Sequence, residues 1–178
     1  MLPNHRPIIV AEQARMLAAL HPVRVDLGIG RSLGFTPPVR EALGVSEYGP
    51  DRFAADLAAL VHLLDDSGPV TVMPTGVEPP PLFALATGSG LRVAAELGLA
   101  VVVGGPVLHG DLAPLDAYRE GFRPSPAWPR PHVVVSADAM IAGTSAQARD
   151  LSLPEAWAMV ESRTTGAFPR CGSSRPRG

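Results

Sequence analysis

The chain contains no lysine. Its 15 cationic side chains are all arginine, set against 17 acidic ones, for a net charge of -2. That balance excludes the basic footprint that nucleic acid or an anionic membrane surface demands. Missing lysine alongside 20 prolines and 18 glycines reads first as the mark of a GC-rich coding sequence. Cysteine occurs once, at Cys171, so no internal disulfide can form and the chain reads as cytoplasmic. No apolar run reaches the roughly 18 residues of a membrane-spanning helix. The N-terminus shows no basic-then-apolar signal pattern, so secretion is not expected. His21, His62, His109 and His132 lie at no metal-ligand spacing from one another or from Cys171, and no metal is expected. Gly-x-Ser-x-Gly, P-loop and paired-cysteine motifs are also missing.

What is present is the balance of a globular protein. The 178 residues are 46% apolar and 18% charged, enough for one domain with a core. Val10, Ala14, Leu17 and Ala18 recur at helical spacing and predict an amphipathic helix over 8–20. Pro7 suits its first turn and Pro22 ends it. A strand is expected over 23–30, with Val25, Leu27 and Ile29 on one face and Asp26, Gly28 and Gly30 leaving the other almost bare. Residues 34–52 read as loop with a short helix at 39–43. Phe53, Leu57, Leu60, Val61 and Leu64 mark the strongest helix, with Asp51 as its cap.

Further on, strands are expected over 70–73, 82–86, 99–103 and 132–141. Helices are expected over 91–97, closed by Gly98, and over 115–122, 145–153 and 154–160. From Thr164 onward Gly, Pro, Ser and Arg dominate, so 164–178 reads as a disordered tail and 1–163 as the domain. Alternating strands and helices predict a parallel α/β fold. Four clear strands and a weaker fifth are too few to close a (β/α)8 barrel, which takes about 250 residues.

Several loops carry candidate chemistry. Thr87-Gly88-Ser89-Gly90 joins a strand to a helix, where backbone N–H groups and two hydroxyls suit a phosphate. Such loops are also ordinary βα connections. Gly28 and Gly30 lack the side chains that would keep a flat ring from the backbone, or they simply give packing clearance. Arg31 follows them and offers a fork for phosphate or carboxylate, with a surface ion pair as the plain alternative. Asn4 and His5 offer an amide and an imidazole, or merely cap the first helix. Gly104-Gly105 follows another buried strand. Trp128 and Trp157 read as partial-core anchors.

The opening stretch LPNHRPIIVAEQARMLAALHPVRVDLGIGR resembles the middle of the bacterial luciferase-like flavin-dependent monooxygenases, which show LPNH-x-P, VAEQ and LHPGRIDLGIGR in that order. LRVAAELGL, DAYREGFRPS, HVVVSADAMIA and LPEAWAM agree colinearly, so the resemblance covers roughly residues 1–166. It implies a partial TIM (β/α)8-type barrel with parallel strands, beginning after the third barrel strand and ending before the eighth. It also implies FMN in reduced form, or a deazaflavin, acting with oxygen on a small organic substrate. Asn4 and His5 match the polar pair near the flavin, Gly28, Gly30 and Arg31 its surroundings, and Thr87, Gly88, Ser89 and Gly90 the phosphate loop.

Three departures stand out. HPVR replaces HPGR, Leu85 stands where the family loop has glycine, and RCGSSRPRG matches nothing in the family. The family's N-terminal portion has no counterpart. A non-catalytic remnant, or a homodimer that completes a sheet, is therefore the rival expectation. An open doubly wound nucleotide-binding domain is weaker, because no Gly-x-Gly-x-x-Gly opens the first βα turn.

Overall fold

The computed structural model describes residues 1–34 and 36–165. After a single 3-10 turn at Leu2–Asn4 the order is α1 (Pro7–Leu20), β1 (Leu27–Gly30), α2 (Pro37–Ala42), α3 (Pro50–Leu64), β2 (Leu82–Leu85), α4 (Ser89–Glu96), β3 (Ala100–Gly104), α5 (Pro106–His109), α6 (Ala113–Glu120), β4 (Val133–Ser136) and α7 (Ser145–Thr165). The four strands form one sheet in the order β1-β2-β3-β4, with every neighbouring pair parallel. The predicted α/β class and parallel strands are those observed.

Side chains alternate across each strand, so residues paired in register share a face. Ile29, Ala84 and Val101 are in register and buried, as is Val103 two residues on. They form the floor of the core beneath the helices. Phe53, Leu57 and Leu60 of α3 and Leu91 and Ala94 of α4 close it from above. Tyr118 of α6 ties two strand entries together. Its hydroxyl donates to the Leu99 carbonyl at 2.9 Å and accepts from the His132 N–H at 3.3 Å. Burial raises the pKa of this phenol, against a lowering backbone hydrogen bond at His132. Its ring meets Phe122 edge-on at 5.6 Å.

Several expectations need correction. Residues 70–73 form no strand: β1 pairs directly with β2, so no sheet edge lies between them, and the Val72 carbonyl accepts from Arg15 instead. Leu17, expected on the buried stripe of α1, is exposed, and Arg15 is wholly buried. The Arg15 guanidinium donates to the Leu64 carbonyl at 2.8 Å, among the carbonyls left unpaired at the end of α3, and meets Asp66 at 2.7 Å. The cap of α3 is Gly49, with Asp51 in the first turn. β1 and β4 are shorter than predicted, because β-pairing stops where the neighbouring strand ends. The segments 145–153 and 154–160 are one helix with Pro154 inside it. The helix is mostly exposed, so water can satisfy the carbonyl that proline leaves free. α7 also includes Thr164 and Thr165, while the remainder of the expected tail, with Cys171, lies outside the described residues. None of the described helices is long and apolar enough to cross a membrane.

Candidate functional site

Because all four strands run parallel, their C-terminal ends open on one rim. In (β/α)8 barrels that rim carries the chemistry and the opposite one carries stability. Gly30 pairs with Leu85, Leu85 with Val102, and Gly104 with Ser136. Gly28, Gly30, Leu85, Val102, Gly104 and Ser136 therefore share the face turned away from the helices. Thr87 lies two residues beyond Leu85, past the end of β2. Ser136 escaped notice in the sequence, where it is only the end of a valine run. Gly104 must be glycine, since a Cβ there would stand 2.8 Å from the Ser136 carbonyl oxygen.

The N-terminal segment lies over the end of β1. A Cβ on Gly30 would meet the Met1 side chain at 3.2 Å. Leu2 and Pro3 are buried, which anchors the two polar residues after them. Neither Asn4 nor His5 caps α1: the cap position is Arg6 and no side chain bonds to it. The Asn4 Oδ1 is buried without a hydrogen-bond partner among the described residues, and His5 is exposed. An orphaned buried acceptor calls for a donor that the described residues do not supply.

Between β2 and α4, Gly88 takes φ 50° and ψ -122°. A Cβ there would meet nothing within 4 Å, so the backbone angle, not crowding, demands glycine. The Gly90 N–H donates to the Thr87 carbonyl and the Leu91 N–H to the Gly88 carbonyl, each at 3.1 Å. The N–H groups of Gly88 and Ser89 find no acceptor among the described residues, and no side chain caps α4. Thr87, Gly88 and Ser89 are exposed. They present two hydroxyls and free N–H groups at the positive end of an eight-residue helix. Arg31, exposed on the adjoining strand end, makes no ion pair or hydrogen bond among the described residues.

The glycine pair in β1 is less open. The Leu85 side chain leans over Gly28, its Cδ1 3.2 Å from where a Cβ would sit. A cleft of about 660 Å³ lies at the other rim among Val25, Leu82, Leu99 and Trp128. There Trp128 stacks on His132 at 4.8 Å and meets Phe83 edge-on at 5.2 Å. None of the predicted site residues lines it.

The family model for luciferase-like monooxygenases matches residues 1–170. The chain belongs to the luciferase-like monooxygenase family. A luciferase-like monooxygenase of Escherichia coli K12 is 34% identical over 95% of this chain and 53% of its own length. An N-acetyl-S-alkylcysteine monooxygenase of Bacillus subtilis is 32% identical over 57% of this chain and 33% of its own. Among solved structures, the apo form of MsnO8 superimposes with a TM-score of 0.73 at 32% identity, covering 93% of this chain and 50% of that one. The monooxygenase RslO1 of Streptomyces bottropensis does so at 0.71 and 19% identity, covering 92% and 55%, a likeness of fold alone. The chain thus spans about half the length of the relatives it matches. Its four parallel strands are part of a TIM-type barrel, as the resemblance of its opening block implied.

Proposed function

We propose that this chain forms the cofactor-binding mouth of a flavin-dependent monooxygenase that acts on a small organic substrate. The reading rests on the family match over residues 1–170. The rim supplies a built-in test of fit. It offers the Asn4 Oδ1, an uncapped helix N-terminus and, after β1, Arg31, the acceptor and the arginine both without a partner among the described residues. Those are an acceptor for a ring N–H and a donor set for a phosphate, so the residues present suit FMN or a deazaflavin.

When bound, such a group supplies the electrons or hydride for the reaction. The protein contributes binding and orientation. The N–H groups of Gly88 and Ser89, the hydroxyls of Thr87 and Ser89 and the turn through Gly90 hold phosphate. Arg31 closes on it as a fork. Asn4 fixes a ring edge, and His5, exposed at the same mouth, holds or releases a proton for substrate. Gly28 and Gly30 bound the ring face once the flexible end of Leu85 swings aside.

The test is a fluorescence titration of the purified chain with FMN and, separately, with a deazaflavin, with circular dichroism alongside. Saturable binding is expected, weakened at least about tenfold by Ser89→Asp, which sets a carboxylate against the phosphate. A folded chain that binds neither compound rejects the proposal.

A further inference from the structure

We propose that Leu85 gates the bare face of β1: its side chain fills the place over Gly28 that a planar ring would take, so that shortening it tightens ring binding. The proposal rests on the cofactor reading above and adds to it the residue that limits affinity.

β2 is an inner strand, with β1 on one side and β3 on the other. Leu85, its last residue, is in register with Gly30 and Val102. Both flanks of Leu85 are therefore strands of the described sheet. Apart from the chain neighbours of Gly28, the only atoms within 4 Å of where a Gly28 Cβ would sit, among the described residues, belong to Leu85. They are Cδ1 at 3.2 Å and Cγ at 3.8 Å. Phe83 is the residue paired with Gly28, yet it leaves that place free. Its ring turns to residues ahead of β4, meeting Trp128 edge-on at 5.2 Å and His132 at 6.2 Å. Leu85 alone holds the space.

Only the end of the leucine does so. Its Cβ stands 3.6 Å from the Cβ place on Gly30, where Met1 Sδ and Cε come within 3.2 Å. The stem of Leu85 thus borders Gly30, and its branched end covers Gly28. Rotation between staggered positions carries such an end away. A ring and the leucine end compete for one place, so the apparent affinity is the intrinsic one reduced by the fraction of chains in which the place is open. Alanine leaves it open at all times and keeps the Cβ that borders Gly30. Leu85 is 46% exposed in this chain, so the truncation removes little of the core.

The effect falls on the ring and not on the phosphate. The phosphate loop begins at Thr87, two residues past the end of β2, and its cradle is set by the backbone angle of Gly88 and the uncapped start of α4. Riboflavin carries the ring without the phosphate and separates the two contributions.

Fluorescence titration of the purified parent chain, Leu85→Ala and Leu85→Val with FMN and with riboflavin, each beside circular dichroism, is the test. Leu85→Val also lacks both Cδ atoms, keeps a shape that suits a strand, and stands in if the alanine variant fails to fold. Both variants should bind both compounds at least about fivefold more tightly than the parent chain. A site that was merely loosened would bind more weakly instead. Parent binding of FMN with unchanged or weaker binding by the folded variants overturns the proposal and leaves the cofactor reading standing. Tightening of FMN with riboflavin unchanged also overturns it, since the effect then runs through the phosphate loop. Binding by the variants where the parent chain binds neither compound supports the gate and rejects the cofactor reading for the parent chain. No binding by any folded chain rejects both.

Discussion

Arg15 shows how much one residue can carry. It heads the fully buried side chains by size among the described residues, and it holds the Leu64 and Val72 carbonyls together with Asp66. Arg15→Met keeps the volume but leaves those carbonyls without a donor, and should cost about 3 kcal/mol in urea unfolding. Arg15→Lys should recover only part of this, since one ammonium cannot reproduce the fork. The two tyrosines make a second, pH-dependent case. Burial first, then the hydrogen bond and charge of Asp56, raises the Tyr48 phenol, and burial raises Tyr118. A raised pKa means the folded state favours the neutral phenol. This contribution is therefore complete below the ordinary tyrosine value of 10.0 and is lost as pH climbs above it. Thermal unfolding from pH 8 to 12 should show that decline, and Tyr48→Phe with Tyr118→Phe should flatten it.

At the scale of elements, two glycines with positive φ do different work. Gly98 ends α4 at φ 64°, and a Cβ there would collide with the Arg123 carbonyl and stand 2.9 Å from the Ser125 Cβ. Gly98→Ala should cost more than about 3 kcal/mol, because strain and overlap add. Gly88→Ala meets no neighbour and should cost only the backbone term, about 2 kcal/mol for φ 50° with ψ -122°. Denaturant midpoints of both variants check the contrast. Gly98 was legible as a helix terminator from its place after 91–97. Its role against the loop before β4 was not, because the Ser125 hydroxyl bond to the Gly98 carbonyl, at 2.8 Å, spans 27 residues. The short α5 and the continuity of α7 through Pro154 were hidden for a related reason. Local propensity favours a break at each, and exposure to water or docking on β3 decides otherwise.

For the whole molecule, the decisive property is that all four strands run parallel, so the loops at their C-terminal ends, with Thr87, Gly88, Ser89 and Arg31 among them, gather on one rim.

The sequence by itself determined the alternation of strands and helices, the apolar β3, the α3 stripe and the glycines that bend the chain after β2. Each is a local matter of period, φ and hydrogen-bonding capacity, read within a few residues. It also placed Asn4, His5, Arg31 and Thr87–Ser89 in loops whose common rim follows from parallel strands. Only the tertiary structure decided that Arg15 is buried in place of Leu17. It alone set Leu85 over Gly28, left the Asn4 oxygen without a partner and brought Ser136 to the mouth. Those outcomes depend on which surfaces meet across tens of residues, and chain periodicity carries no information about a neighbour that is distant in sequence.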